Sequence, residues 1–281
     1  MRNLVRLSDF SRDDVLRIFQ IADDVLLGKY KKYLEGKTIV MFFPASSIRT
    51  RVTFEKGIHL LGGQSILFAP ETLDKKEDIR DVIGYLNNWA DGLIVRHRDI
   101  GLLDKIADSA RVPVINGMTN KNHPCEMLAD LYALSKIRMD FTTDEFLFVG
   151  AAANIGYAWK EASNLMGFSL VQCCPIGYEI EGLQTCNNLY DAIFDKDIIC
   201  TDSVISDNLE EFRPYQVTLE LMKRAKKDAI LNPCPPFYRG EEVSDEVIKS
   251  PYFAGYDFKK CLMEIQQAIV IFCMQEEMKG V

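Results

Sequence analysis

Short apolar, β-branched and aromatic runs recur along the chain, each followed by a turn and then by a stretch of helical periodicity. The runs at 38–43, 65–68, 92–95, 113–115, 145–149, 169–173, 197–200 and 229–231 read as strands. They are short and almost continuously apolar, as strands of parallel sheets covered on both faces are. Between them, Phe54, Ile58 and Leu61 share one face of a helix predicted over 52–61, which Gly62 and Gly63 end. Ile79, Val82, Ile83 and Leu86 do the same over 77–89, and a long helix is expected at 126–138.

Four strand–helix units fill the chain to about residue 122, and the polar stretch 139–144 precedes a second series of strands. The pattern predicts an α/β protein of two doubly wound parallel-sheet domains, spanning 1–138 and 139–256. A final helix, expected over 259–279 within a segment 257–281, has no following strand to serve. It is expected to pack back on the first domain.

Composition narrows the function classes. Of 281 residues, 48% are apolar and 26% charged, as in an ordinary globular chain. Lys and Arg number 33 against 41 Asp and Glu, a net charge of −8. That balance argues against nucleic acid and anionic membranes as partners. The longest apolar run, 268–274, falls far short of the roughly 20 residues that span a bilayer. The start Met1-Arg2-Asn3-Leu4-Val5-Arg6 shows no signal-peptide core, so a soluble, cytoplasmic chain is expected. Eight cysteines lie mostly in apolar runs with no Cys-x-x-Cys, which reads as reduced core thiols. His59, His97 and His123 never fall at helical ligand spacing, and neither a metal nor a cofactor is expected. The turn Gly150-Ala151-Ala152-Ala153-Asn154-Ile155-Gly156 lacks the Gly-x-Gly-x-x-Gly of a dinucleotide site.

Open α/β sheets bind ligands at the carboxyl ends of their strands. The loop Ala45-Ser46-Ser47-Ile48-Arg49-Thr50-Arg51 joins a strand directly to a helix start, where unpaired N–H groups and the helix dipole favour an anion. Ser47, Thr50, Arg49 and Arg51 could complete a phosphate cradle; the bland alternative is a Ser N-cap with two solvated arginines. His123 and Arg96 sit at two further strand ends. Three strand ends carrying Arg49, Arg96 and His123 are expected on one edge of the first sheet.

The block Ser47-Ile48-Arg49-Thr50-Arg51 with Phe54-Glu55 resembles the Ser-x-Arg-Thr-Arg signature of the aspartate/ornithine carbamoyltransferases. His123-Pro124-Cys125-Glu126, with Leu128 and Asp130-Leu131, resembles their His-Pro-x-Gln-x-Leu-x-Asp-Leu block. Lys76-Glu77-Asp78 is similar to their intersubunit Lys-Glu-Ser loop. Arg213-Pro214-Tyr215-Gln216-Val217 and Glu241-Glu242-Val243 resemble the ornithine branch.

The resemblance implies a carbamoyl phosphate-binding first domain, an acceptor-binding second domain and a homotrimer, with a place in arginine metabolism. Ser47, Ile48 (through its backbone), Arg49, Thr50 and a neighbour's Lys76 would hold the phosphate. Arg96 and His123 would donate to the carbamoyl oxygen as catalytic residues, and Glu126, Pro233 and Cys234 would line the same site. Asn154, Asp202, Ser206 and Asp207 would meet the acceptor. Carbamoyl phosphate and an amino-acid amine are the implied partners.

Departures fall mostly in the acceptor half. Glu126 stands for the family's Gln, Asp207 for a Met, Pro233 for a Cys, and Leu262 for a phosphate-binding Arg with only Lys259 and Lys260 nearby. Residues 174–183 leave little room for the usual helix. Three readings follow: transfer to ornithine or a related amino acid; transfer to another amine, such as an N-acylated ornithine or a diamine; and a non-catalytic relative.

Overall fold

Nine strands form two all-parallel sheets in the computed structural model, which describes residues 2–204 and 206–275. The first unit runs to Ala133 and takes up the chain again from Lys260; the second is Leu134–Lys259. In the first, β1 (Thr38–Phe42), β2 (Gln64–Phe68), β3 (Gly92–Arg96) and β4 (Val114–Met118) lie in the order β2-β1-β3-β4. Helices α1 (Arg12–Leu26), α2 (Ile48–Leu60), α3 (Ile79–Leu86), α4 (Ile100–Ser109) and α5 (Pro124–Ile137) accompany them. On one sheet face Val40, Phe42, Leu93 and Val95 form a core with Ile83, Leu103 and Ile106.

Several helix bounds differ from the sequence reading for local reasons. Helix α2 starts four residues earlier than position 52, because Ile48 and Val52 point outward at 69% and 56% exposure and the buried periodicity starts late. Helix α3 is shorter than 77–89: the Asp78 carboxylate caps it by accepting the Arg80 N–H at 2.9 Å. The capping box of Ser11 and Asp14 starts α1.

The second unit carries β5 (Glu145–Val149), β6 (Ser169–Cys173), β7 (Gln184–Cys186), β8 (Ile198–Thr201) and β9 (Ile230–Pro233), in the order β7-β6-β5-β8-β9. Helix α6 (Asn154–Met166) follows β5, and four single-turn helices complete the unit: α7 (Leu189–Ala192), α8 (Leu209–Phe212), α9 (Leu219–Met222) and α10 (Asp245–Ile248). Strand β7 has no counterpart in the sequence reading, because a three-residue edge strand of Gln, Thr and Cys carries no apolar signal. No helix forms between 174 and 183.

Helix α11 (Leu262–Met274) packs on α1 and α2 and is buried on nearly every side, as its apolar sequence requires. The expected start at 259 gives way to a separate 3₁₀ turn, Tyr256–Lys259, and the expected end at 279 lies outside the described residues.

Strand order fixes where ligands can sit. From β1 the chain goes to β2 on one side and later returns to place β3 on the other, so strand order reverses between β1 and β3. The second sheet reverses between β5 and β8. Crevices at the carboxyl ends of such switch points are the natural binding places of open α/β sheets.

Candidate functional site

The loop after β1 and the end of β3 meet at the first switch point. Ser47 occupies the N-cap position of α2 and is buried, yet its side chain makes no capping bond. Its hydroxyl instead accepts Nη1 of Arg96 at 2.9 Å. That bond rejects the plain N-cap reading of Ser47. Arg49 is exposed on the first turn of α2, and its guanidinium makes no hydrogen bond or ion pair among the described residues. Thr50 is buried one residue on. Arg51, read as a second phosphate-binding guanidinium, is instead paired with Glu55 at 2.7 Å along the helix. The N–H of Ile48, expected to reach the phosphate, donates to the Ser46 carbonyl at 2.9 Å.

A bulge aims Arg96. Val95 pairs with Asn116 but Arg96 with Met118, which leaves Gly117 as the extra residue in β4. A Cβ on Gly117 would stand 2.8 Å from the Phe43 ring, so only glycine lets the strand pass there.

His123 is buried immediately before α5, whose first residue is Pro124. The loop that carries it is fixed by amides. Asn116 Nδ2 donates to the Val5 carbonyl at 2.8 Å and to Asn122 Oδ1 at 2.7 Å, and Thr119 Oγ1 donates to Asn122 Oδ1 at 3.0 Å. Fully buried polar networks of this kind set one conformation. Glu126 is buried on the first turn of α5, where the helix dipole tolerates a carboxylate.

The loop bearing Lys76 is anchored by a residue the sequence reading passed over. His97 accepts the Asp99 N–H on Nδ1 at 3.1 Å, so its proton lies on Nε2, which contacts Asp74 Oδ1 at 3.0 Å. His97 is buried, Asp74 is half exposed, and Lys76 two residues on is exposed.

In the second unit, Asn154 opens α6 after β5, Asp202 follows β8, and Pro233 ends β9 with Cys234 beyond it. These are the carboxyl ends of three adjacent strands at the second switch point. Asp207 is exposed in the 3₁₀ turn Ser206–Asn208; the Ser206 side chain lies outside what the structure describes. Leu262 is buried at the start of α11, where it has no polar group to offer an anion. No cluster of three or more His, Cys, Asp or Glu suited to a metal occurs among the described residues.

Burial raises two carboxyls in this unit above their ordinary range. Asp202 is pushed up to about 6 against the Ser203 N–H, which favours its charged form. Glu242 is pushed up to about 7 by burial, with the Asp202 charge adding to it, while its Oε1 accepts the Tyr238 N–H at 2.6 Å. A raised carboxyl contributes stability that is complete below its ordinary pKa and is lost as pH rises through its folded value. The stability of this unit should therefore fall as pH rises from about 4 to about 7 through these two groups. Glu242→Gln should raise the midpoint of thermal unfolding at pH 8 by a few degrees and change it little at pH 5. Calorimetric scans at both pH values check this; an equal shift at both contradicts it.

Comparison with known proteins places both units. Residues 2–136 match the model of the aspartate/ornithine carbamoyltransferase carbamoyl-P binding domain, and 144–273 match that of the Asp/Orn binding domain. The chain is 32% identical over 303 aligned positions to the ornithine carbamoyltransferase of Methanosphaera stadtmanae, covering 98% of this chain and 100% of the relative. It is 32% identical over 298 positions to that of Chromobacterium violaceum, covering 98% and 97%. An alignment of 303 positions exceeds the 281 residues present, so the Methanosphaera stadtmanae relative has segments that this chain lacks. The solved ornithine carbamoyltransferase of Pyrococcus furiosus superposes with a TM-score of 0.92 at 30% identity, over 97% of each chain. That of Burkholderia thailandensis does so at 0.91 and 28%, over 98% and 99%.

Proposed function

We infer the function from the premise that this chain belongs to the aspartate/ornithine carbamoyltransferase family: it transfers the carbamoyl group of carbamoyl phosphate to an amino group, with ornithine the first acceptor. The products are a citrulline-like ureido compound and phosphate. The observation that carries the donor half is the Arg96–Ser47 bond at the first switch point, beside the unengaged guanidinium of Arg49.

Each role follows from charge. Arg49 takes the phosphate in two parallel hydrogen bonds, with Ser47 and Thr50 hydroxyls beside it. Lys76, Glu126, Pro233 and Cys234 belong to the same donor assignment, and the Ile48 N–H joins it once released from Ser46. As the amine attacks, negative charge gathers on the carbamoyl oxygen, where Arg96 and His123 donate. Fixed donors aimed at developing charge are worth about 3 kcal/mol each in such sites. Asn154, Asp202 and Ser206 frame the α-amino and α-carboxyl groups of the acceptor. An ammonium docking on Asp202 would favour its charged form and offset the rise that burial imposes.

A second reading, transfer to a different amine, is favoured by Asp207. An exposed carboxylate where the family has Met suits a cationic acceptor, and it would hold an amine in the unreactive ammonium form. Comparing kcat/KM for ornithine, N-acetylornithine, putrescine and aspartate separates the readings. Ornithine should lead, because acceptors without α-groups leave the polar frame unpaired. A tenfold lead for putrescine or N-acetylornithine selects the second reading. Inertness of all four selects the non-catalytic relative or an acceptor outside this set.

We place the reaction in arginine metabolism and in the cytoplasm, where thiols stay reduced; none of the eight cysteines is in a disulfide. A homotrimer fits the exposed Lys76 loop and the edge strand β2, whose Ile66 and Phe68 are 46% and 42% exposed. Lys76 of one subunit then binds phosphate in its neighbour's site. Mixing inactive Lys76→Ala and Arg49→Ala subunits should restore part of the activity, since some mixed sites carry neither change. No recovery on mixing, or a monomer by light scattering, contradicts shared sites.

A further inference from the structure

We propose that His97 is a positioning residue for the donor: by holding Asp74 it sets where Lys76 stands, and so how well Lys76 reaches a phosphate in the neighbouring subunit. His97 acts through the loop, and its role rests on the proposed place of Lys76 in a neighbour's donor site. The tip of β3 ties together the loops after the other three strands of its sheet. Arg96 donates to Ser47 in the loop after β1. The His97 ring bonds Asp74 in the loop after β2, although β1 lies between the two strands. The His97 N–H donates to the Met118 carbonyl at 3.1 Å, and the Asn120 N–H to the Arg98 carbonyl at 3.0 Å, which holds the end of β4 and its loop.

Lys76 depends on this tether because its own surroundings supply none. Lys75, Lys76 and Glu77 make no hydrogen bond or ion pair among the described residues. Downstream, the Asp78 carboxylate bonds the N–H and the guanidinium of Arg80 in its own helix. Asp74 is the one residue from 74 to 78 whose side chain hydrogen-bonds another element among the described residues.

The ring is suited to the task. It is buried, while the carboxylate it holds stays half in solvent. With Nδ1 taken by the Asp99 N–H at 3.1 Å, Nε2 keeps the proton and its aim on Asp74. Asp99 in turn caps α4 by accepting the Gly101 N–H at 2.8 Å, so the line of support runs from a helix start to the loop. A loop held in advance pays less ordering entropy when its lysine binds an anion, and that saving appears as donor affinity.

Calorimetric titration of the intact protein with carbamoyl phosphate tests this. His97→Ala and Asp74→Ala should each weaken binding about tenfold, the scale of one lost charge-assisted hydrogen bond. Asp74→Asn keeps the acceptor oxygen and should lose less than Asp74→Ala. With donor saturating, kcat of His97→Ala should stay within about threefold of the unaltered value, as expected when only binding is lost. The decisive variant joins His97→Ala to Lys76→Ala: it should bind no more weakly than Lys76→Ala alone, because nothing is left for His97 to position. A further loss in that background overturns the proposal, since His97 would then act through the fold or through Arg96. Unchanged affinity in His97→Ala or in Asp74→Ala overturns it too, and leaves carbamoyl transfer standing. So does Lys76→Ala binding the donor as the unaltered protein does. Failure of the unaltered protein to bind carbamoyl phosphate removes the functional reading and this proposal together.

Discussion

Replacing Arg96 with alanine is expected to lower kcat about 100- to 1,000-fold, the cost of losing one fixed donor to a developing oxyanion. The side chain is already in place before any ligand arrives, held on Ser47 Oγ at 2.9 Å and aimed by the bulge at Gly117. A donor set in advance costs little to organise during the reaction, so its loss appears mainly in kcat and less in donor affinity. Arg96→Lys keeps the charge without the planar fork and should recover only a small part of the rate. His123→Ala should follow the same pattern. Steady-state kinetics beside donor calorimetry would show it. A loss confined to donor affinity would instead make Arg96 a ground-state binding residue.

Arg49→Ala is expected to have the second largest effect, on binding. The residue is exposed, its guanidinium makes no hydrogen bond or ion pair among the described residues, and it stands on the first turn of α2. Removing it should leave stability within about 0.5 kcal/mol of the unaltered protein. Two charge-assisted hydrogen bonds at about 1.5 kcal/mol each correspond to a roughly 100-fold rise in the dissociation constant for carbamoyl phosphate. Calorimetry showing unchanged affinity would remove Arg49 from the donor site.

Local pattern revealed every strand but β7 and the loops to which the proposed chemistry is assigned, because apolar runs and strand-end polar clusters are contiguous in sequence. Strand order is not contiguous information. Nothing near Arg96 or Ser47 says that β3 lies beside β1 on the side away from β2, and that adjacency brings Arg96 to Ser47 in the proposed site. Arg51 looked equivalent to Arg49, but Glu55 four residues on takes its guanidinium. That i, i+4 spacing is visible in the sequence and signals a helix-surface pair. The anchoring role of His97 is not legible because its partner Asp74 is distant in the chain, as is Val5 from the amides that fix the His123 loop. Leu262 was legible as a departure, and its burial explains why it can stand there: α11 needs an apolar residue against the core.

The most direct measurement follows the carbon itself. Incubating the protein with ¹³C-carbamoyl phosphate and ornithine should produce a ureido carbon resonance at a rate far above the spontaneous one. Arg96→Ala should slow its appearance about 100-fold or more, and Arg49→Ala should slow it at donor concentrations below saturation. A spectrum showing only slow breakdown of carbamoyl phosphate, identical with and without the protein and with every acceptor offered, would contradict carbamoyl transfer.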